Sequence, residues 1–129
     1  MSIKMYQVTS NTVTRKIRIF LEQYDLDFKT IKICPETFSK GDFFEILSMT
    51  EEGVYELLSD RSTIYKRMKD ANFDFDALSL SELYELIIKN PTLLKTPIVV
   101  NKEDNRLVIG NDSELLIKIV PKELRNSSK

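Results

Sequence analysis

Cys34 is the only thiol in a chain of 129 residues that has no histidine. Those two facts remove most catalytic chemistry. No Ser-His or Cys-His pair can be assembled. A zinc site would lack its customary ligands, and no intramolecular disulfide can form. No catalytic residue, no metal and no cofactor are therefore assigned. The residues best placed to act lie between Thr9 and Arg18. Ile3-Lys4-Met5-Tyr6-Gln7-Val8 precedes them as a short strand, and Thr9-Ser10-Asn11-Thr12 forms a polar loop. Val13, Ile17, Phe20, Leu21 and Tyr24 then recur at helical spacing. A strand, loop and helix start in this order point backbone N–H groups at an anion, or lower the pKa of a thiol placed there. This loop has no cysteine and none of the glycines of a phosphate cradle. Asn11 and Thr12 read as helix caps. Arg15, Lys16 and Arg18 oppose the helix macrodipole. They can form one basic patch, because Arg18 lies one turn beyond Thr14 and Arg15. The patch suits an anion or an acidic partner, and its alternative reading is a solvated face.

The elements that must position this loop follow from periodicity. Asp25-Leu26-Asp27 is a turn, and Phe28 to Ile33 is a second strand that ends at Cys34-Pro35. A strand–helix–strand span of this length predicts parallel strands and a right-handed crossover. From 36 to 90 the pattern is helical. Ser39 caps a helix carrying Phe43, Phe44, Ile46 and Leu47, which stops near Thr50-Glu51-Glu52-Gly53. Gly53 is expected to end a helix with positive φ. A short helix carries Val54, Leu57 and Leu58, and Ser59 or Asp60 opens the next. Ser79-Leu80-Ser81-Glu82 is a capping box for a helix that Asn90-Pro91 terminates. Strands return at 97–100 and 106–109 as an antiparallel hairpin, with Asn101 to Asn105 as the polar turn between them. Asp112 caps a final helix with Leu115, Leu116 and Ile119, closed by Pro121, and 126–129 is a disordered tail.

Charge is uneven along the chain. Residues 1–35 hold six Lys/Arg against three Asp/Glu, 36–90 hold six against twelve, and 91–129 hold seven against five. Net charge of −1 gives no argument for direct nucleic-acid binding. The acidic middle (Asp42, Glu45, Glu51, Glu52, Glu56, Asp60) is a solvated surface or faces a basic partner. No apolar run approaches the ~20 residues of a membrane span, and the N-terminus lacks a secretory pattern, so a cytoplasmic protein without membrane contact is expected. Cys34, ending an apolar strand, is expected to be buried and inert.

The order β-α-β, helical block, β-β-α resembles the thioredoxin-like plan. Thr96-Pro97 entering a strand is similar to that fold's cis-proline beside the active-site loop. Met49-Thr50-Glu51-Glu52-Gly53, Ser59-Asp60-Arg61-Ser62, Leu83 to Ile87, Asn90 to Ile98 and Arg106 to Gly110 together resemble the Spx regulators and their relatives, the ArsC-type arsenate reductases. The similarity runs from Met5 to about Arg125. The resemblance implies an α/β fold in one unit over 1–129. A thioredoxin-like core would occupy 1–35 and 91–121, with an all-helical insertion at 36–90. It implies a stress-response regulator that binds the C-terminal domain of the RNA polymerase α subunit and meets DNA only through polymerase. Gly53 stands where the family's glycine for α-subunit contact stands, and Arg61 matches a retained arginine. Docking is expected through the first helix (Arg15, Lys16, Arg18) and the segment around Gly53.

Many members carry Cys-x-x-Cys in the first loop as a thiol–disulfide switch. Those two positions here are Asn11 and Thr14, a degenerate redox loop. Thr96 replaces an arginine that helps hold an oxyanion in the reductases. A reductase needs a nucleophilic cysteine at position 11, so an enzyme is disfavoured. The remaining alternative is an inactive paralogue or adaptor that competes for polymerase or for a protease adaptor.

Overall fold

The computed structural model describes residues 3–110 and 116–120. The chain divides into two compact units, Ile33–Lys95 and the residues on either side of it.

The flanking unit is built on four strands. Strand β1 (Ile3–Gln7) leads through residues 8–11 into helix α1 (Thr12–Gln23) and returns as β2 (Phe28–Lys32). Strands β3 (Ile98–Asn101) and β4 (Arg106–Ile109) close the sheet in the order β2-β1-β3-β4. β1 and β2 run parallel, as a helical crossover requires, and the β3–β4 hairpin is antiparallel. The period-2 alternation puts Ile3 and Met5 on the same face as Val99 and Val108. They pack with Ile17 and Leu21 of α1 and with Leu116, Ile119 and Val120. Each such burial contributes about 1.5–3 kcal/mol. Asp25, at φ 53°, turns the chain after α1, and Leu26 N–H donates back to Leu21 O at 3.1 Å. β2 is an edge strand whose exposed Lys29 and Lys32 guard it against further pairing.

Asn101 departs from expectation. It belongs to β3 rather than to the turn, and it is fully buried on the core face. Its Nδ2 donates to Ile119 O at 2.8 Å, and its Oδ1 accepts from Asp104 N–H. A buried amide is tolerated because both ends are paired. The expected final helix falls mostly outside the described residues, as do Asp112, Leu115, Pro121 and the tail 126–129. Leu116–Ile119 is a 3-10 helix, not an α-helix.

The unit Ile33–Lys95 is helical: α2 (Lys40–Ser48), α3 (Val54–Leu57), α4 (Thr63–Asp70) and α5 (Leu80–Lys89), with 3-10 turns at Phe75–Ala77 and Pro91–Leu93. Phe38, Phe43 and Tyr84 form a buried ring triangle with centroids 6.2–6.4 Å apart. The Tyr84 hydroxyl donates to Phe38 O, so its polar tip is satisfied inside the core. Burial raises the Tyr84 phenol above its ordinary range, and Glu85, Asp42 and Cys34 add to the effect. The hydroxyl therefore stays a donor throughout the physiological range.

Two starts in this unit match the cap signals. Ser39 and Ser79 each accept a bond from the N–H three residues on, and Asp42 and Glu82 return it. The α4 start does not match. It is capped by Ser62, not by Ser59 or Asp60. Ser59 N–H is taken by Leu93 O at 2.7 Å, beside a bridge between Leu58 and Leu94, and Ser59 O accepts from Ser62 N–H. That turn must close before a helix can open.

The Ser79 backbone N–H, which donates to Glu82 Oε1 at 3.0 Å, and next the Ser79 hydroxyl hold the Glu82 carboxyl below its ordinary pKa. The contribution of this box is thus complete above the unfolded carboxylate pKa. It is lost as pH falls through the lowered folded value. Ser79→Pro, which fits the φ of −67° and removes both the N–H and the hydroxyl, is expected to move the Glu82 carboxyl back toward the ordinary range, measurable by carbon-detected NMR titration. An unmoved Glu82 would show that the box does not set its titration.

Candidate functional site

The flanking unit carries the first candidate, the loop between β1 and α1. Asn11 is the N-cap in extended conformation. Its Oδ1 accepts from Thr14 N–H at 3.0 Å, while Thr14 Oγ1 accepts from Asn11 N–H at 2.8 Å and donates to Asn11 O at 2.9 Å. The two degenerate positions thus bind each other reciprocally. The sequence pointed to a cap at Asn11. It did not show that Thr14 is the other half, although Thr three residues after Asn is a variant of the box pattern. Thr14 is 1 % exposed, and its hydroxyl is fully used in the box. Neither side chain is a thiol, and no disulfide can be drawn between an amide and a hydroxyl. Arg15 and Lys16 are exposed on the first turns of α1, and Arg18 is half-buried one turn on. The Thr96–Pro97 peptide is cis. Pro97 is buried, and the pairing of Ile98 with Tyr6 brings it level with the end of β1, where the loop begins.

The helical unit carries the second candidate, the turn at Thr50–Gly53. Gly53 has φ 79° and ψ −150°, a region essentially reserved for glycine. The positive φ agrees with expectation, but its place does not: Gly53 opens α3 as its N-cap and does not end α2, which stops at Ser48. Thr50 Oγ1 donates to Leu47 O at 2.6 Å and accepts from Gly53 N–H at 3.1 Å. Glu56 Oε2 accepts from Glu51 N–H at 3.2 Å. The turn is therefore pinned on both sides by its own side chains. A Cβ built on Gly53 would meet nothing within 4 Å, so the glycine faces open space. Arg61 is exposed in the turn before α4. The sequence placed Thr50 at the end of a helix and Glu56 on an acidic surface, but did not show that both pin this turn. A hydroxyl three residues before a glycine was the available signal.

Cys34 is half-buried rather than buried. The chain turns immediately after it, with Thr37 and Phe38 N–H both donating to Cys34 O, and its Sγ lies 3.0 Å from Thr37 Oγ1. The chain turns here with the thiol half-exposed, not packed into a core. The native chain should accordingly be alkylated at Cys34 by iodoacetamide. Cys34→Ser, which can keep a hydrogen bond to Thr37, should leave the melting temperature nearly unchanged. A thiol unreactive until denaturation would refute this placement.

The family profile described as the ArsC family matches residues 6–119. The chain belongs to the ArsC family. Among its relatives is the global transcriptional regulator Spx of Listeria innocua serovar 6a, 37% identical over 95% of this chain and 90% of the relative. The global transcriptional regulator Spx 2 of Bacillus cereus is 35% identical over 94% of this chain and 88% of the relative. Within the ArsC family the chain therefore stands on the Spx branch, as a variant without Cys-x-x-Cys. A Staphylococcus aureus COL protein solved by NMR superposes with a TM-score of 0.70 at 24% identity, covering 90% of this chain and 96% of its own. An arsenate reductase from Vibrio cholerae superposes with a TM-score of 0.70 at 22% identity, covering 93% and 98%. These share the thioredoxin-like α/β fold. ArsC-family chains thus include both regulators and a reductase. Among the described residues of this one, no helix is long and apolar enough to cross a membrane.

Proposed function

We propose that this chain is a cytoplasmic Spx-type transcriptional regulator that binds the C-terminal domain of the RNA polymerase α subunit and is not an enzyme. It works without a thiol–disulfide switch and meets DNA only through polymerase. The observation that carries the reading is the Asn11–Thr14 box: three hydrogen bonds stand where the resemblance places the two thiols of many Spx proteins. A loop so closed has one state, whatever the redox poise. Activity then follows the abundance of the protein or its other partners.

The Gly53 turn supplies close backbone approach, and Arg61 supplies a charge in the same unit. Arg15, Lys16 and Arg18 supply a basic stripe on α1, which sets association rate and salt dependence more than final affinity. The test is a titration of isotope-labelled chain with the isolated α C-terminal domain, with and without diamide. Shifts at Gly53 and Arg61 that are the same in both conditions support the reading. Binding that needs oxidant or reductant overturns its switch-free form. Absence of binding, with a protease adaptor recovered instead, supports the competing-adaptor reading.

A further inference from the structure

The helical unit exposes aromatic rings. Phe75 is buried, and three rings gather on it: Tyr55 edge-on at 6.1 Å, Tyr65 stacked at 5.9 Å and Phe73 edge-on at 5.0 Å. Tyr55 is 43 % exposed and Phe73 39 %. Asp74 and Asp76 flank Phe75 in sequence, and both carboxylates lie within electrostatic reach of Tyr55. The Tyr55 phenol is raised first by desolvation and then by these two charges. Phe73 also lines a groove of about 410 Å³ whose other walls include Leu78, Glu82, Glu85, Leu86 and Lys89. Patch and groove are therefore continuous through Phe73. Asp74 and Asp76 beside the rings and Glu82 and Glu85 in the groove give four carboxylates against Lys89, while α4, which carries Tyr65, holds Lys66, Arg67 and Lys69.

From this juxtaposition of exposed rings, apolar groove and carboxylates we infer a second docking surface, for a basic, partly aliphatic protein segment that presents arginine. A guanidinium stacks flat on Tyr55 or Phe73 while forking to Asp74 or Asp76. An aliphatic side chain of the same segment fills the groove between Leu78 and Leu86. Nucleic acid and anionic lipid are repelled by the carboxylates, and the excess of Asp/Glu over Lys/Arg from 36 to 90 extends that field. This surface stands whether or not the Gly53 turn meets polymerase.

The probe is a synthetic amphipathic helical peptide of arginine and leucine, titrated into the labelled full chain. Shifts should concentrate at Tyr55, Tyr65, Phe73–Asp76 and the groove residues of α5. Asp74→Asn with Asp76→Asn keeps the cap at position 74, because asparagine caps as well as aspartate. It should weaken binding about tenfold and flatten the salt dependence. Phe73→Ser should weaken it by a similar factor, about tenfold, with folding checked by circular dichroism. A lysine-for-arginine peptide should bind more weakly, since ammonium cannot stack and fork together. Three results overturn the inference: shifts lying elsewhere, equal binding by the Asp-to-Asn variant and the wild type, or self-association of the free chain that Phe73→Ser abolishes. The last would make a second copy the occupant.

Discussion

Gly53→Arg is expected to cut affinity for the α C-terminal domain by more than about a hundredfold, the scale of an interface hot spot, while the chain stays folded. Two consequences of the substitution must be separated. The first is backbone strain. At φ 79° and ψ −150° any L side chain costs about 1–3 kcal/mol. The second is the side chain itself, which projects into open space because nothing in the chain lies within 4 Å of a Cβ there. Gly53→Ala carries the same strain with almost no projection. The alanine variant should therefore melt as early as the arginine variant yet keep most of its binding. Titration calorimetry and thermal melts of both variants decide the matter. If alanine and arginine lose binding equally, strain in the turn explains the loss and the contact surface does not include Gly53. If folded Gly53→Arg binds like the wild type, the turn is not an interface.

How far the fold was legible depends on how local each signal is. The capping boxes at Ser39 and Ser79 are local, since both partners lie within three residues, and both form. The βαβ crossover and the hairpin were readable from periodicity and loop length. Ser59, Asp60 and Ser62 can all cap, and only the long-range bridge between Leu58 and Leu94 selects Ser62. Gly53 shows the same limit from another side. Its type required positive φ, but whether the turn ends one helix or opens the next depends on ψ and on Thr50. Asn101 looked like a turn residue because its type favours turns. Its partner, Ile119 O, is eighteen residues away and invisible to any local rule. The candidate sites divide likewise. Asn11 as a cap was legible, whereas the exposed Tyr55 and Phe73 were not. No local rule says which ring of such a cluster stays outside; the packing around Phe75 decides it.

Asn11→Ala combined with Thr14→Ala should lower stability by about 2 kcal/mol, or a fall of roughly 7 °C in melting temperature for a chain of this size. Either single change should cost nearly as much as the pair. The three hydrogen bonds form one reciprocal unit, and removing one partner orphans the other. Additive losses in a double-mutant cycle would instead show two independent caps. The complementary change, Asn11→Cys with Thr14→Cys, replaces the box by thiols at the start of α1, beside Arg15 and Lys16. The helix N-terminus and those cations both favour thiolate there. The dicysteine chain should melt differently in diamide and in dithiothreitol, while the wild type melts alike in both. A wild-type chain whose melting shifts with oxidant at protein concentrations too low for Cys34 to pair between molecules would mean that the hydrogen-bonded loop does not make the chain indifferent to redox poise. A dicysteine chain indifferent to oxidant would mean that the backbone around Asn11 has drifted from the geometry a disulfide requires. In that case the difference from a Cys-x-x-Cys loop would extend beyond two side chains.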